Sequence, residues 1–159
     1  MRQLFLLCCV AVFSAPAYLV ASRFIVTAVV VQGRSMSPTL KDGDHYFLNR
    51  WRYLFSAPDR GDIVVLKDPG HNDYAVKRIV GMPNDWLNLK DGSVFLNGRR
   101  LDETYLPKGT RTETPDMKEH WVQLGRDQYF VMGDNRGNSE DSRFYGVISR
   151  KNLVGMLVK

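Results

Sequence analysis

The chain has almost no sulfur or imidazole chemistry to offer. Its two cysteines, Cys8 and Cys9, are adjacent and sit inside an apolar N-terminal run, so they cannot staple a polar domain and no disulfide framework is expected. The three histidines, His45, His71 and His120, lie far apart with no cysteine beside them. That leaves no zinc set, and no histidine in a setting that invites general-base work. No run of five or more basic residues accompanies the net charge of +5, so nucleic acid is not an expected partner. There is no internal repeat and no low-complexity tract. Helical periodicity is nearly absent after residue 22. No metal and no cofactor are expected.

What is there begins with an uncharged stretch, Leu4 to Ser22. As a helix it would measure about 29 Å, close to a bilayer core of about 30 Å. A cleavable secretory signal ending near Ala15-Pro16-Ala17 is the competing reading. The apolar run continues through Tyr18-Leu19-Val20-Ala21, which favours a membrane anchor over residues 1–22. Arg2 on one side and Arg23 and Arg34 on the other leave the orientation open. The remaining length, 23–159, suits one domain. Phe24–Val31, Asp44–Leu48, Ile63–Leu66, Tyr74–Val80, Trp86–Leu89, Ser93–Leu96, Tyr129–Met132, Val147-Ile148 and Leu153–Val158 read as short strands separated by turn formers. Lys90-Asp91-Gly92 between two of them is a hairpin signal. The fold class is therefore mainly β: several short antiparallel strands behind one N-terminal transmembrane helix. Leu101–Gly125, polar and poor in β-branched residues, reads as a surface insertion. Asn49–Phe55 interleaves aromatics with arginines. It suits either a membrane interface or a loop packed on the sheet.

Three stretches could carry chemistry. Gly33-Arg34-Ser35-Met36-Ser37-Pro38-Thr39-Leu40 follows the β-branched Val29-Val30-Val31. It holds a serine in a turn just past a strand, and it reads equally as an ordinary turn. A nucleophilic serine needs a base, and without histidine the known solution is a neutral lysine. Such a lysine must fall from about 10.4 to roughly 7–8, some 3–5 kcal/mol of destabilised ammonium, which burial among apolar neighbours supplies. Lys77, flanked by Val76, Ile79 and Val80, has that setting. Lys41, Lys67, Lys90, Lys108, Lys118 and Lys151 sit in or beside turns. The alternative is that Lys77 and Arg78 decorate an exposed strand, and at most one of them should share the core face. The third stretch, Gly133 to Arg143, is either a solvated loop or a shell around the base. In the latter case Ser139 bonds the lysine amine, and Asp141 and Arg143 pair, with Arg78 as a possible partner. A calcium loop is excluded by Arg136 at a ligand position.

In order and context, Ser35–Leu40, Lys77–Asp85 and Gly133–Arg143 resemble the type I signal peptidases, and Arg60-Gly61-Asp62-Ile63-Val64 is similar to that family as well. The resemblance runs from the membrane segment to about Gly155. It implies that Ser35 is the nucleophile and Lys77 the general base. It makes Ser139 the serine that bonds the lysine, Asp141, Arg143 and Arg78 supports of the site, and Met36 the residue packed beside the nucleophile. It implies a β domain held at the outer face of a membrane, bacterial plasma membrane or organellar inner membrane, that removes preprotein signal peptides after small residues. Membrane lipid is then a second partner, and the chain is expected to act as a monomer. Val29, Val31, Leu40 and Val76 are the expected walls of the substrate pockets. Two departures stand out. Gly33 occupies a position where some members carry a hydroxyl for the oxyanion hole, and Asn84 stands where glycine is common. The short insertion at about 101–125 implies a small cap. Outside this family, a self-cleaving repressor-type protease would need a DNA-binding domain. A tethered, non-catalytic β domain for peptides or lipid would leave Ser35 dispensable.

Overall fold

The computed structural model describes residues 12, 14, 26–71, 73–116 and 118–158. The expected anchor, with Cys8 and Cys9, falls outside these residues but for Val12 and Ser14. Among the described residues no helix is long and apolar enough to cross a membrane.

Two antiparallel sheets make the domain. The larger holds β1 (Val26–Val30), β2 (His45–Asn49), β11 (Leu153–Val158), β3 (Ile63–Lys67), β4 (Tyr74–Gly81), β9 (Gln128–Met132) and β10 (Ile148–Ser149), in that spatial order. The smaller runs β7 (Arg99–Arg100), β6 (Ser93–Leu96), β5 (Trp86–Lys90), β8 (His120–Gln123). The mainly β expectation holds. One hairpin forms where the sequence marked it: Asp91 (φ 53°) and Gly92 (φ 70°) join β5 to β6. Asn97 (φ 51°) and Gly98 (φ 80°) join β6 to β7 in the same way. Both are two-residue loops with positive φ at each central position, the twist that suits adjacent strands. Asn84 does adopt positive φ, 69°, as asparagine tolerates.

Strand alternation distributes side chains among three cores. Tyr129 and Val131 of β9 join Val64, Leu66 and Ile79. Phe130 and Met132 turn the other way, against Val80, Leu87 and Leu89. That second core glues the two sheets. At Gly81 a Cβ would lie 2.6 Å from Leu124 Cδ1 and 2.8 Å from Phe130 Cβ, so the chain crosses between sheets where only hydrogen fits. The third core, with Val31, Met36, Leu48, Val65 and Leu157, underlies the serine turn.

Two segments differ from the sequence reading. Leu101–Gly125 is not strandless, since β8 extends the small sheet by pairing with β5. Three of its four residues are exposed and the fourth is half-buried, so no alternation marks it. Asn49–Phe55 is neither purely loop nor purely surface. A short helix, α1 (Arg52–Phe55), buries Tyr53, whose hydroxyl donates to Asp62 at 2.8 Å, and leaves Leu54 and Phe55 exposed.

Candidate active site

The turn after β1 is built to hold Ser35 still. Gly33 takes φ +90°, and its N–H donates to Asp42 Oδ1 at 2.9 Å. Ser37 N–H donates to Arg34 O at 3.2 Å and Leu40 N–H to Met36 O at 3.0 Å, closing a compact loop. Met36 is 1% exposed and roots the loop in the third core. Leu40 belongs to that core too. The backbone bond to Met36 turns it inward, so it does not line the groove, as the sequence reading expected, but props the turn from below.

Lys77 enters from β4. Its Nζ donates to Ser35 Oγ across 3.1 Å. The side chain is 5% exposed. Loss of hydration pushes its pKa down, against the partial restoring pull of Asp141, Asp68 and Glu140. A buried amine depressed in this way holds less of its population charged, and a neutral amine can accept a proton along the same contact.

Arg78, the next residue, is also buried, although adjacent strand residues face opposite ways. The expectation that at most one of the pair would be covered fails because β4 is central. Its Lys77 face meets the serine turn and its Arg78 face meets the cap. The partner of Arg78 is neither Asp141 nor Arg143. Its Nε and Nη2 donate to Asp134 at 2.8 and 2.6 Å, and Nη1 donates to Gly61 O at 2.8 Å. The ring of Tyr105 stacks 4.1 Å from the guanidinium. Asp134 also accepts from Thr39 Oγ1 at 2.5 Å, so one carboxylate ties the serine turn to the strand that carries the lysine. Nothing in the sequence singled it out except its place in a polar loop.

Asp141 and Arg143 pair with each other, Nε to Oδ1 at 2.8 Å and Nη2 to Oδ2 at 2.9 Å, with side chains 0% and 3% exposed. Asp141 caps α2 (Ser142–Tyr145) and accepts the Gly133 N–H at 2.9 Å. Gly133 is where the loop grazes the turn: a Cβ there would collide with the Ser139 hydroxyl and the Ser35 carbonyl. Ser139 is thus beside the site. Its hydroxyl is buried and makes no hydrogen bond among the described residues, to Lys77 or otherwise; the amine reaches Ser35 instead. Arg136, set aside in the sequence as a misfit for calcium, proves structural. It donates to Gly133 O at 3.0 Å and pairs with Glu103 of the cap at 2.5 Å. Its role was invisible because Glu103 lies 33 residues away in the chain.

Ser35 and Lys77 line a groove of about 390 Å³ with Val29, Val31, Met36, Val65 and Val76, and Arg50 and Asp73 also border it. A larger cavity of about 610 Å³ lies in the cap along 92–94 and 100–110 and contains neither Ser35 nor Lys77. A hydroxyl and a buried amine within hydrogen-bond reach, lining one groove, can perform nucleophilic attack and proton transfer.

Comparison with known proteins places the chain in a family. The sequence model of the family described as signal peptidase, peptidase S26, matches residues 1–158. Signal peptidase I S of Bacillus subtilis (strain 168) is 38% identical over 144 residues, 86% of this chain and 77% of the relative. Signal peptidase IB of Staphylococcus aureus (strain N315) is 33% identical over 149 residues, 86% of this chain and 78% of the relative. The crystal structure of a signal peptidase I from Enterococcus faecalis V583 superposes with a TM-score of 0.55 at 25% identity, covering 65% of this chain and 98% of that one.

Proposed function

The chain belongs to the signal peptidase family, peptidase S26, and on that premise we propose that it removes signal peptides from preproteins by attack of Ser35, with Lys77 as general base. The observation that carries this reading is the 3.1 Å contact between the two side chains, with the amine buried.

The groove has two unsatisfied flanks. Among the described residues β1 pairs only with β2, and β9 reaches β4 only from Arg78 onward, so Tyr74–Lys77 has no strand partner there on its β9 side. A signal peptide adds between them as an extended strand, and the crowding of Val29, Val31, Met36 and Val76 admits small side chains. Neutral Lys77 takes the Ser35 hydroxyl proton as Oγ bonds to the substrate carbonyl carbon. The resulting ammonium returns that proton to the leaving amine as the C–N bond breaks. Lys77 then takes a proton from a water as that water attacks the ester carbonyl, and returns it to Ser35 Oγ as the acyl C–O bond breaks, which frees the acid product and restores the dyad. Asp134 and Arg78 hold the serine turn to β4; Asp141, Arg143 and Ser139 hold the neighbouring loop. A preprotein with alanine before the scissile bond should be cut there, the position read by mass, and the same preprotein with tryptophan in place of that alanine should survive. Equal cleavage of both would sink the small-residue pocket.

Residues 1–22 serve as the anchor and 23–159 as the catalytic domain, a monomer on the outer face of the plasma membrane, with 101–125 as its cap. Lipid contact is supported by exposed apolar side chains on β2 and on and beside α1: Phe47, Trp51, Leu54 and Phe55, with Trp51 and Phe55 rings 5.5 Å apart and Leu54 and Phe55 72% and 78% exposed. Aromatics of this kind settle at the headgroup level. In full-length protein reconstituted into vesicles, with Trp86 and Trp121 replaced by phenylalanine, brominated phospholipid should quench Trp51. Undiminished emission would remove this surface from the membrane. A tethered, non-catalytic peptide binder is disfavoured by the buried Lys77, since a binding module has no use for a desolvated amine beside a serine.

A further inference from the structure

Gly33 brings no hydroxyl to the oxyanion hole, and its backbone N–H is occupied by Asp42 at 2.9 Å. The Ser35 N–H, by contrast, donates to no acceptor among the described residues. Its direction is therefore decisive, and that direction is fixed from the far end of its own peptide unit. In a planar trans peptide the C=O and N–H point opposite ways, so whatever grips Arg34 O aims the Ser35 N–H. Two donors grip it: Ser37 N–H at 3.2 Å, from within the turn, and Asn135 Nδ2 at 3.0 Å, from the polar loop 101 residues downstream. Asn135 also donates its own N–H to Ser35 O at 3.0 Å. The two bonds straddle the nucleophile, one on each flanking peptide.

We infer that Asn135 is a positioning residue for the oxyanion hole: its side-chain amide pins the Arg34–Ser35 peptide so that the free Ser35 N–H faces the substrate carbonyl attacked by Ser35. This rests on the assignment of Ser35 as nucleophile. It also explains how a chain with glycine at position 33 stabilises the oxyanion. A hole with fewer donors depends more on the aim of the one it keeps. Because the Asn135 main chain still bonds Ser35 O in any variant, replacing its side chain loosens one peptide rather than the whole turn. The expected loss is about 10- to 50-fold in kcat, below the roughly 10²–10³ of deleting a donor outright.

The test uses the full-length protein with Asn135→Ala and Asn135→Asp, the second keeping size while losing the donor. Three readouts are compared with wild type: kcat and KM on a preprotein, affinity for a peptide aldehyde that forms a hemiacetal with Ser35, and affinity for an uncleavable peptide of the same sequence. The prediction is a fall in kcat matched by a parallel fall in aldehyde affinity. KM, the uncleavable peptide and the pH dependence of kcat/KM in Asn135→Ala should stay unchanged. Wild-type kcat in both variants overturns the inference. So does weakening of the uncleavable peptide as much as the aldehyde, which would make Asn135 a groove residue. If Asn135→Ala does not fold, as shown by its melting curve, Asn135→Asp carries the test. Ser35→Ala is run alongside: persistent cleavage there overturns the nucleophile assignment itself. Its inactivity with unaltered Asn135 variants overturns only the role of Asn135.

Discussion

Lys77→Ala is expected to remove preprotein cleavage while leaving the fold intact, and Ser35→Ala to do the same. Paired nucleophile and base act as one device, so each loss should cost about 10⁴–10⁶ in kcat, and the double variant little more than either single one. Stability should not fall in Lys77→Ala. Lys77 is 5% exposed and, among the described residues, its amine bonds only Ser35, so truncation relieves a desolvated group rather than breaking a network. Lys77→Arg is the informative companion, because a guanidinium keeps the charge and cannot give up its proton; it should be as inactive as alanine. The pH dependence follows from the same burial. Activity needs the neutral amine, so kcat/KM should rise with pH and fall away on the acid side as pH drops through the lowered Lys77 pKa. Folding stability is linked in the same sense. Between that lowered value and the ordinary 10.5, the unfolded chain holds the proton that the folded one has released, so the Lys77 contribution to stability rises with pH across this window. Residual cleavage in Lys77→Ala within tenfold of wild type, measured by single-turnover kinetics, would end the serine–lysine assignment.

Much of this was legible in the residues because it is local. The Asp91-Gly92 hairpin, the strand Ile63–Leu66 with its buried Val64, Val65 and Leu66, and the turn beyond β1 each announce themselves within a few positions. Lys77 was legible for a different reason: among the chain's lysines it has apolar neighbours on a strand, and desolvation is a property of neighbours. What stayed hidden is long-range. The partner of Arg78 is 56 residues away, and sequence offers several carboxylates of equal merit; only the meeting of β4 with the end of β9 selects Asp134. Burial of both Lys77 and Arg78 contradicts the alternation rule, because that rule assumes one face of a strand is wet, and β4 is covered on both. β8 was missed because an exposed strand has no reason to alternate. Leu40 was misplaced as a groove wall because a turn's direction is set by the bond from Leu40 N–H to Met36 O, not by composition.

Asp141→Asn and Arg143→Gln should move the acid limb of activity in opposite directions while destabilising the protein alike. Both side chains are buried and paired, with exposures of 0% and 3%, and breaking such a pair by removing one charge leaves the other uncompensated, at a cost of about 3–5 kcal/mol. Melting temperatures should therefore drop in both variants. The charges act differently on Lys77. The Asp141 carboxylate favours its ammonium and the Arg143 guanidinium opposes it. Losing the carboxylate lets the Lys77 pKa fall further, so Asp141→Asn should keep its activity to lower pH. Losing the guanidinium lets it rise, so Arg143→Gln should need a higher pH to reach its plateau. Amide for carboxylate still leaves an acceptor for the Gly133 N–H, so the plateau itself should drop less than in Asp141→Ala. A role confined to holding the loop predicts two destabilised proteins with unmoved acid limbs. Opposite displacements, read from kcat/KM against pH at a temperature well below both melting points, would mean that the pair also tunes the proton affinity of the base. Displacement in the same direction for both would exclude the carboxylate and guanidinium as opposing influences on Lys77.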